Sequence, residues 1–315
     1  MSERVALICG GASFEREVSL RGAHRVQHAL EQLGFDVAPL DINRSLLREL
    51  RELDPAFAFI VAHGRDGEDG TLQGLLEACG IPFAGSDSAA SQLCMDKVAT
   101  KHALRRAGLD TPAFHAFSRR AFAELGAAEA LEAVVAELGL PLVVKPVHEG
   151  SSLGLKLVED HDALLPAILG ATAYDERILV ERHVEGRELA VTVLGSPDAP
   201  RMLPIIEVAS TRPFYDYDAH YDFNVARLRI AEDLGDAERA LVEDAVLRAY
   251  SVCGCRDFAR VDLILDGEGR AQILELNTIP GLTETGPTPF AASAAGLDFA
   301  DLVAEVGARV SRAVA

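Results

Sequence analysis

The first sixty residues alternate short apolar runs with amphipathic stretches, and that alternation limits the fold more than any other feature. Val5 to Cys9 reads as a buried strand, Ser19 to Leu33 as a helix, and Asp36 to Leu40 as a strand. Ser45 to Leu53 then reads as a helix and Phe57 to Ala62 as a strand. Strands separated by helices have room for crossover connections, so the pattern predicts a parallel sheet with helices on both faces. Gly10-Gly11 and His63-Gly64 follow strands at their carboxyl ends, where open α/β sheets take ligands. A plain strand-to-helix turn accounts for the glycine pair equally well.

Near Ile81 to Gly85 the first unit ends. Ser91 to Gly108 reads as a helical stretch carrying Lys97, and Thr111-Pro112 opens an extended segment. Leu142 to Pro146 reads as a strand containing Lys145. Glu149-Gly150-Ser151-Ser152-Leu153-Gly154 follows, and a strand resumes over Leu155 to Val158, so this is a hairpin tip. Its backbone N–H groups can face phosphate oxygens, although an ordinary turn has the same composition. Strands are expected over Arg177 to Glu181 and Leu189 to Leu194. Ser210 to Asp222 is a long polar and aromatic loop with Tyr215, Tyr217, His220 and Tyr221, and long loops of this composition carry function. Ala237 to Tyr250 and Phe299 to Ala313 read as helices.

Arg260-Val261-Asp262 and Glu275-Leu276-Asn277 lie on two adjacent apolar segments, followed by Pro280-Gly281. Glu275 and Asn277 are two apart, so on a strand both face one way. Asp262, Glu275 and Asn277 supply the hard oxygen atoms that magnesium prefers when it also binds nucleotide phosphates. A hairpin with a solvated polar face is the alternative reading of these residues.

A formal charge of −19 leaves no basic footprint for nucleic acid or an anionic membrane. Positive charge is therefore informative where it occurs within motif-like segments, at Lys97, Lys145, Lys156 and Arg260. Five cysteines, Cys9, Cys79, Cys94, Cys253 and Cys255, form no disulfide framework. No apolar run approaches the roughly 20 residues that cross a bilayer. The N-terminus enters a strand with no leader-like segment, so a soluble, cytoplasmic protein is expected.

Taken together, these segments resemble the D-alanine:D-alanine ligase family of the ATP-grasp superfamily over nearly the whole chain. The matching stretches begin with Gly10-Gly11 to Ser19, His63-Gly64 to Gly74, and Met95-Asp96-Lys97. They continue through Lys145-Pro146, Glu149 to Ser152, Phe214 to Tyr217, Arg260-Val261-Asp262 and Glu275 to Thr278. The resemblance implies an α/β chain with an α+β C-terminal part. This would be a three-domain ATP-grasp fold with an N-terminal Rossmann-like parallel-sheet domain (1–95), a central subdomain (96–184) and a C-terminal subdomain with the metal site (185–315).

The implied activity is ATP-dependent joining of two D-alanines through an acyl phosphate, with two magnesium ions or manganese in their place. Lys97, Lys145, Ser151, Ser152 and His220 would meet the phosphates, Glu181 and the Val184 backbone the adenine, and Glu188 the ribose. Glu15 would hold the ammonium of the first substrate and His63 would lie near its carboxylate. Ser151 and Tyr221 would fix Glu15, and Arg260 with the Gly281 N–H would stabilise the oxyanion. A homodimer is implied as well, with no nucleic-acid or membrane partner.

Two positions depart from the family pattern. Gly286 stands where relatives carry a serine that binds the second substrate's carboxylate, and losing a hydrogen bond to a charged group costs about 1.5–3 kcal/mol unless it is replaced. Thr285, Thr288 or a backbone N–H is one replacement. The other reading is a different second substrate, such as D-serine, D-lactate or a specialised amine. His220 stands where relatives carry a phosphate-binding lysine, which predicts weaker ATP affinity or a steeper pH dependence.

Overall fold

The structure is a computed structural model, and it describes residues 2–210 and 226–314. Four parallel strands form the first sheet in the order β2-β1-β3-β4: β1 (Arg4–Cys9), β2 (Asp36–Asp41), β3 (Phe57–Ile60) and β4 (Phe83–Ala84). The period-two rule divides β1 between two cores. Val5, Leu7 and Cys9 pack with the helix Arg16–Gln32, while Ala6 and Ile8 pack with the helices Leu46–Leu53 and Thr71–Cys79. The last helix, Phe299–Val314, returns to the first sheet, placing Leu302, Val303 and Val306 in the same core as Val5, Leu7, Phe57 and Phe59.

The second sheet is antiparallel, with order β5-β8-β6-β7: β5 (Phe114–Ser118), β6 (Leu142–Pro146), β7 (Lys156–Val158) and β8 (Arg177–Arg182). Helices Leu131–Leu138 and His161–Ala171, both left unassigned by the sequence reading, cover one face of it. The third sheet runs β12-β11-β9-β13-β14, with β10 beside β9. Its strands are β9 (Gly186–Ser196), β10 (Ala199–Met202), β11 (Ile206–Ser210), β12 (Ala226–Ile230), β13 (Asp257–Asp266) and β14 (Ala271–Asn277), and the helix Asp236–Val252 packs on one face.

The helical stretch expected from Ser91 to Gly108 is helical and divides into two helices, Ser88–Met95 and Lys97–Arg106. Asp96 breaks it. Its backbone is extended, and its carboxylate accepts the N–H groups of Val98 and Ala99 at 2.9 Å, the competition with the helix that short acidic side chains offer. Lys97 thus opens the second helix. Cys94, Leu104 and Leu109 join the core of the third sheet.

Candidate active site

All three sheets face a cavity of about 860 Å³, large enough for a nucleotide and a small partner. The loops after β1 and β3 bring Glu15 and His63, the second sheet and its hairpin tip bring Lys145 and Ser151, and β13 with β14 brings Arg260 and Glu275.

Next to the first sheet, Glu15 occupies the N-cap position of the helix Arg16–Gln32, so the helix starts three residues earlier than the apolar pattern predicts. Ser19 on its first turns is buried and accepts the Gly10 N–H at 2.8 Å. The Glu15 carboxylate makes no cap and accepts instead from the Ser151 hydroxyl across the cavity. Burial, then the nearby Glu68, push the Glu15 carboxyl above its ordinary value, against the pull of His63 and Ser151. His63 is buried, with Nδ1 3.8 Å from Glu68 Oε2. Burial opposes its charged form, yet Glu68 and Glu15 raise its pKa. Its Nε2 has no hydrogen-bond partner among the described residues, and the residue lines the cavity, which leaves a buried polar atom for a ligand to satisfy. Glu68 itself is held by the Gly64 N–H at 2.9 Å.

Register places the charged wall on one face of the third sheet. Arg260 is opposite Asn277, Asp262 opposite Glu275, and Ile264 opposite Glu188 on the far neighbour, with a bulge between Asp262 and Leu263. Arg260 grips Asp262 with two bonds, Nε to Oδ1 at 2.7 Å and Nη2 to Oδ2 at 2.8 Å. Lys97 Nζ lies 3.3 Å from Glu275 and donates to the Glu149 carbonyl at 2.7 Å. Burial works against ionised Glu275, but Lys97, Lys145 and Arg260 outweigh it and hold the carboxyl at about 2. Glu188 goes the other way: burial, then Asp262 and Glu275, push it up to about 8.

Lys145 Nζ meets Glu181 Oε1 at 2.6 Å, and Glu181 is buried. In the hairpin tip, Ser151 and Ser152 both adopt left-handed backbone, with φ of 47° and 57°. Gly286 caps the helix Pro287–Ala294 and donates its N–H to the Thr283 carbonyl at 3.2 Å. A Cβ at Gly286 would stand 2.9 Å from the Gly281 carbonyl oxygen, so a serine fits only if the backbone moves.

The cavity therefore brings together Glu15, His63, Lys97, Lys145, Ser151 and Ser152 with Glu181, Val184, Glu188, Arg260 and the 262/275/277 set, and Gly281 and Gly286 line it too. His220 and Tyr221 lie outside the described residues. Sequence reasoning passed over Glu68, although it sits within a quoted motif, and Lys101, one helical turn beyond Lys97.

Asp262, Glu275 and Asn277 fit a magnesium site that shares its ion with phosphates. Two carboxylates and an amide are what such a site uses, and the raised Glu188 marks negative charge that a divalent cation would offset. Among the described residues no three Asp, Glu, His or Cys side chains form a closed metal cage.

A parallel sheet and two antiparallel sheets sharing one cavity define the chain as an ATP-grasp type α/β enzyme. The model for the "D-ala D-ala ligase C-terminus" matches residues 103–306 and that for the "D-ala D-ala ligase N-terminus" residues 45–86. A D-alanine–D-alanine ligase of Desulforudis audaxviator is 47% identical over 304 residues, 96% of this chain and 97% of that one. One of Moorella thermoacetica is 42% identical over 303 residues, 96% and 97% of the two chains. The crystal structure of the Bacillus anthracis D-alanine–D-alanine ligase complexed with ATP superposes with a TM-score of 0.83 at 30% identity, covering 99% of this chain and 98% of that one. The chain belongs to the D-alanine–D-alanine ligase family. Among the described residues no helix is long and apolar enough to cross a membrane.

Proposed function

We propose that this chain joins two D-alanines at the expense of ATP, giving D-alanyl-D-alanine, ADP and phosphate for peptidoglycan precursor synthesis. One observation carries the reading. The hairpin tip touches both reacting halves of the cavity, since the Glu149 carbonyl accepts from Lys97 and, two residues on, Ser151 donates to Glu15. A residue that holds an ammonium and a residue that holds a phosphate are thereby tied to one loop.

Glu15 binds the ammonium of the first D-alanine, and His63 Nε2 faces its carboxylate. A carboxylate oxygen attacks the γ-phosphorus, the bond to the β–γ bridging oxygen breaks, and ADP leaves. Lys97 and Lys145 take up charge on the transferring group, with the Ser151-Ser152 tip over it. The free amine of the second D-alanine then attacks the acyl carbon, and phosphate departs with the electrons of the C–O bond. Arg260 and the Gly281 N–H stabilise the oxyanion. The tip excludes water, which would hydrolyse the acyl phosphate.

Glu181 and the Val184 backbone meet the adenine and Glu188 the ribose, while His220 and Tyr221 belong to the same reading. Asp262, Glu275 and Asn277 would hold magnesium, in two ions or with manganese in its place, supplying Lewis-acid neutralisation of phosphate charge. Three domains at 1–95, 96–184 and 185–315, a homodimer and a cytoplasmic location complete the proposal.

The test is ATP-dependent phosphate release with D-alanine as sole amino acid, with the product identified by mass. Dipeptide formation is the expected result. Turnover that starts only when D-serine, D-lactate or another amine is added would overturn the D-alanine assignment and direct attention to the turn at Gly286.

A further inference from the structure

Lys101 is one of only four lysines in the chain, and it lies wholly buried behind the cavity, whose lining it does not join. Its Nζ is 2.8 Å from Glu181 Oε2 and donates to Thr111 Oγ1 at 2.7 Å. The Thr111 hydroxyl is itself fixed by donating to the Ile273 carbonyl of β14 at 2.7 Å. Lys145 takes the other oxygen of Glu181, and Lys145 does line the cavity. One buried carboxylate is thus held between a lysine that a ligand can reach and a lysine that it cannot.

The two lysines are not equivalent. An ammonium in a dry interior is tolerated only beside a partner. Burial brings Lys101 down to about 8, with Glu181 opposing that fall. Burial likewise disfavours ionised Glu181, yet Lys101 and Lys145 together hold it below the usual carboxylate range. Lys145 lines the cavity where a ligand's phosphates would compete for it, whereas Lys101, outside the lining, has no such competitor for Glu181. An ionised carboxylate only accepts hydrogen bonds, whereas a protonated one also donates. The distinction decides which purine fits, because adenine offers an amino donor at its six-position and hypoxanthine an oxo acceptor.

We propose that Lys101 is a positioning residue for base selectivity: tied to Thr111 and set against Oε2, it keeps Glu181 in place as an acceptor so that the site takes a 6-aminopurine nucleotide and rejects a 6-oxopurine one. The inference rests on the ATP reading of the cavity.

Calorimetric binding of ADP and of IDP to the full chain tests it without requiring turnover. The wild-type protein is expected to prefer ADP by at least about tenfold, and Lys101→Met to lose most of that preference. An unchanged ADP-to-IDP ratio in a folded Lys101→Met protein would overturn the inference alone. No binding of either nucleotide to the wild type would overturn the ATP reading, and the inference with it. If Lys101→Met does not fold, Glu181→Gln is compared with the double variant Glu181→Gln/Lys101→Met, in which the charge and its partner leave together. Equal base preference in the two supports action through Glu181, and a further change on removing Lys101 overturns it.

Discussion

The two ends of the cavity handle charge differently. At the end assigned to the nucleotide and the reacting groups, ion pairs within the protein offset buried charge, Lys101 and Lys145 on Glu181, Lys97 on Glu275 and Arg260 on Asp262, with Glu188, pushed up beside Asp262 and Glu275, as the exception. At the end assigned to the first amino acid, two carboxylates, Glu15 and Glu68, share one histidine whose Nε2 has no partner among the described residues, and burial drives Glu15 upward. One end is balanced by the protein itself except at Glu188. The other is short of one positive charge and offers one donor, which is what the ammonium and carboxylate of an amino acid would complete.

The largest effect expected is at the balanced end. Arg260→Met should lower kcat by about 10²–10³-fold, since it removes the cation that the proposed mechanism sets against the reacting carbonyl and frees Asp262 at once. Phosphate release at saturating D-alanine and ATP measures it, and a loss below tenfold would place Arg260 away from the reacting atoms. At the incomplete end, Glu15→Gln should raise the Michaelis constant for the first D-alanine by about 10- to 100-fold, in line with a charged hydrogen bond worth 1.5–3 kcal/mol. ADP affinity should stay within twofold, and if both ligands weaken together the two ends are not separable.

Gly286→Ser tests whether the turn at Gly286 tolerates the hydroxyl that the family resemblance leads one to expect there. With the Gly281 carbonyl 2.9 Å from the new Cβ, we expect about 1–3 kcal/mol of destabilisation in thermal melts and no gain in affinity for the second D-alanine. Tighter second-substrate binding at unchanged stability would show that the turn adapts freely.

The smallest effect links the ends through the base of the hairpin tip. His148 Nδ1 and backbone N–H both lie 2.8 Å from Asp175 Oδ2, and Asp96 is 3.5 Å from the ring. Asp175, by hydrogen bond and charge, raises His148 above its ordinary value against partial burial. Burial disfavours ionised Asp175, but hydrogen bonds from His148 and Arg177 hold it low. A raised histidine contributes stability that is complete below its unfolded pKa and lost as pH rises through the higher folded value. A depressed carboxylate contributes stability above its unfolded pKa that is lost as pH falls through the lower folded value. The pair therefore supports the tip in the mildly acidic range and weakens as pH climbs past the ordinary histidine value. Partial exposure keeps the effect below about 1 kcal/mol. Limited proteolysis at 149–154 should quicken between pH 6 and 8.5 in the wild type and be pH-independent in His148→Gln.

Much of this was legible along the chain. Alternating apolar and helical segments implied the parallel first sheet, and period-two spacing put Glu275 and Asn277 on one face of a strand. Asp96 lies in the Met95-Asp96-Lys97 motif, yet its capping of the second helix is not visible there, because apolar spacing alone runs through it. The helices Leu131–Leu138 and His161–Ala171 lie in segments that carry no motif. Lys101 escaped for another reason: a lysine on a helix is solvated by default, and only packing shows it to be dry.

By itself the sequence determined the parallel first sheet, the family and the oxygen and nitrogen groups available for chemistry, since periodicity and residue type are local properties. The tertiary structure alone decided that Glu15 and Ser151, 136 residues apart, meet across one cavity, and that the last helix completes the first sheet's core. It also decided which charges are paired. Pairing depends on distance and burial between segments remote in the chain, and those are set by how the three sheets pack.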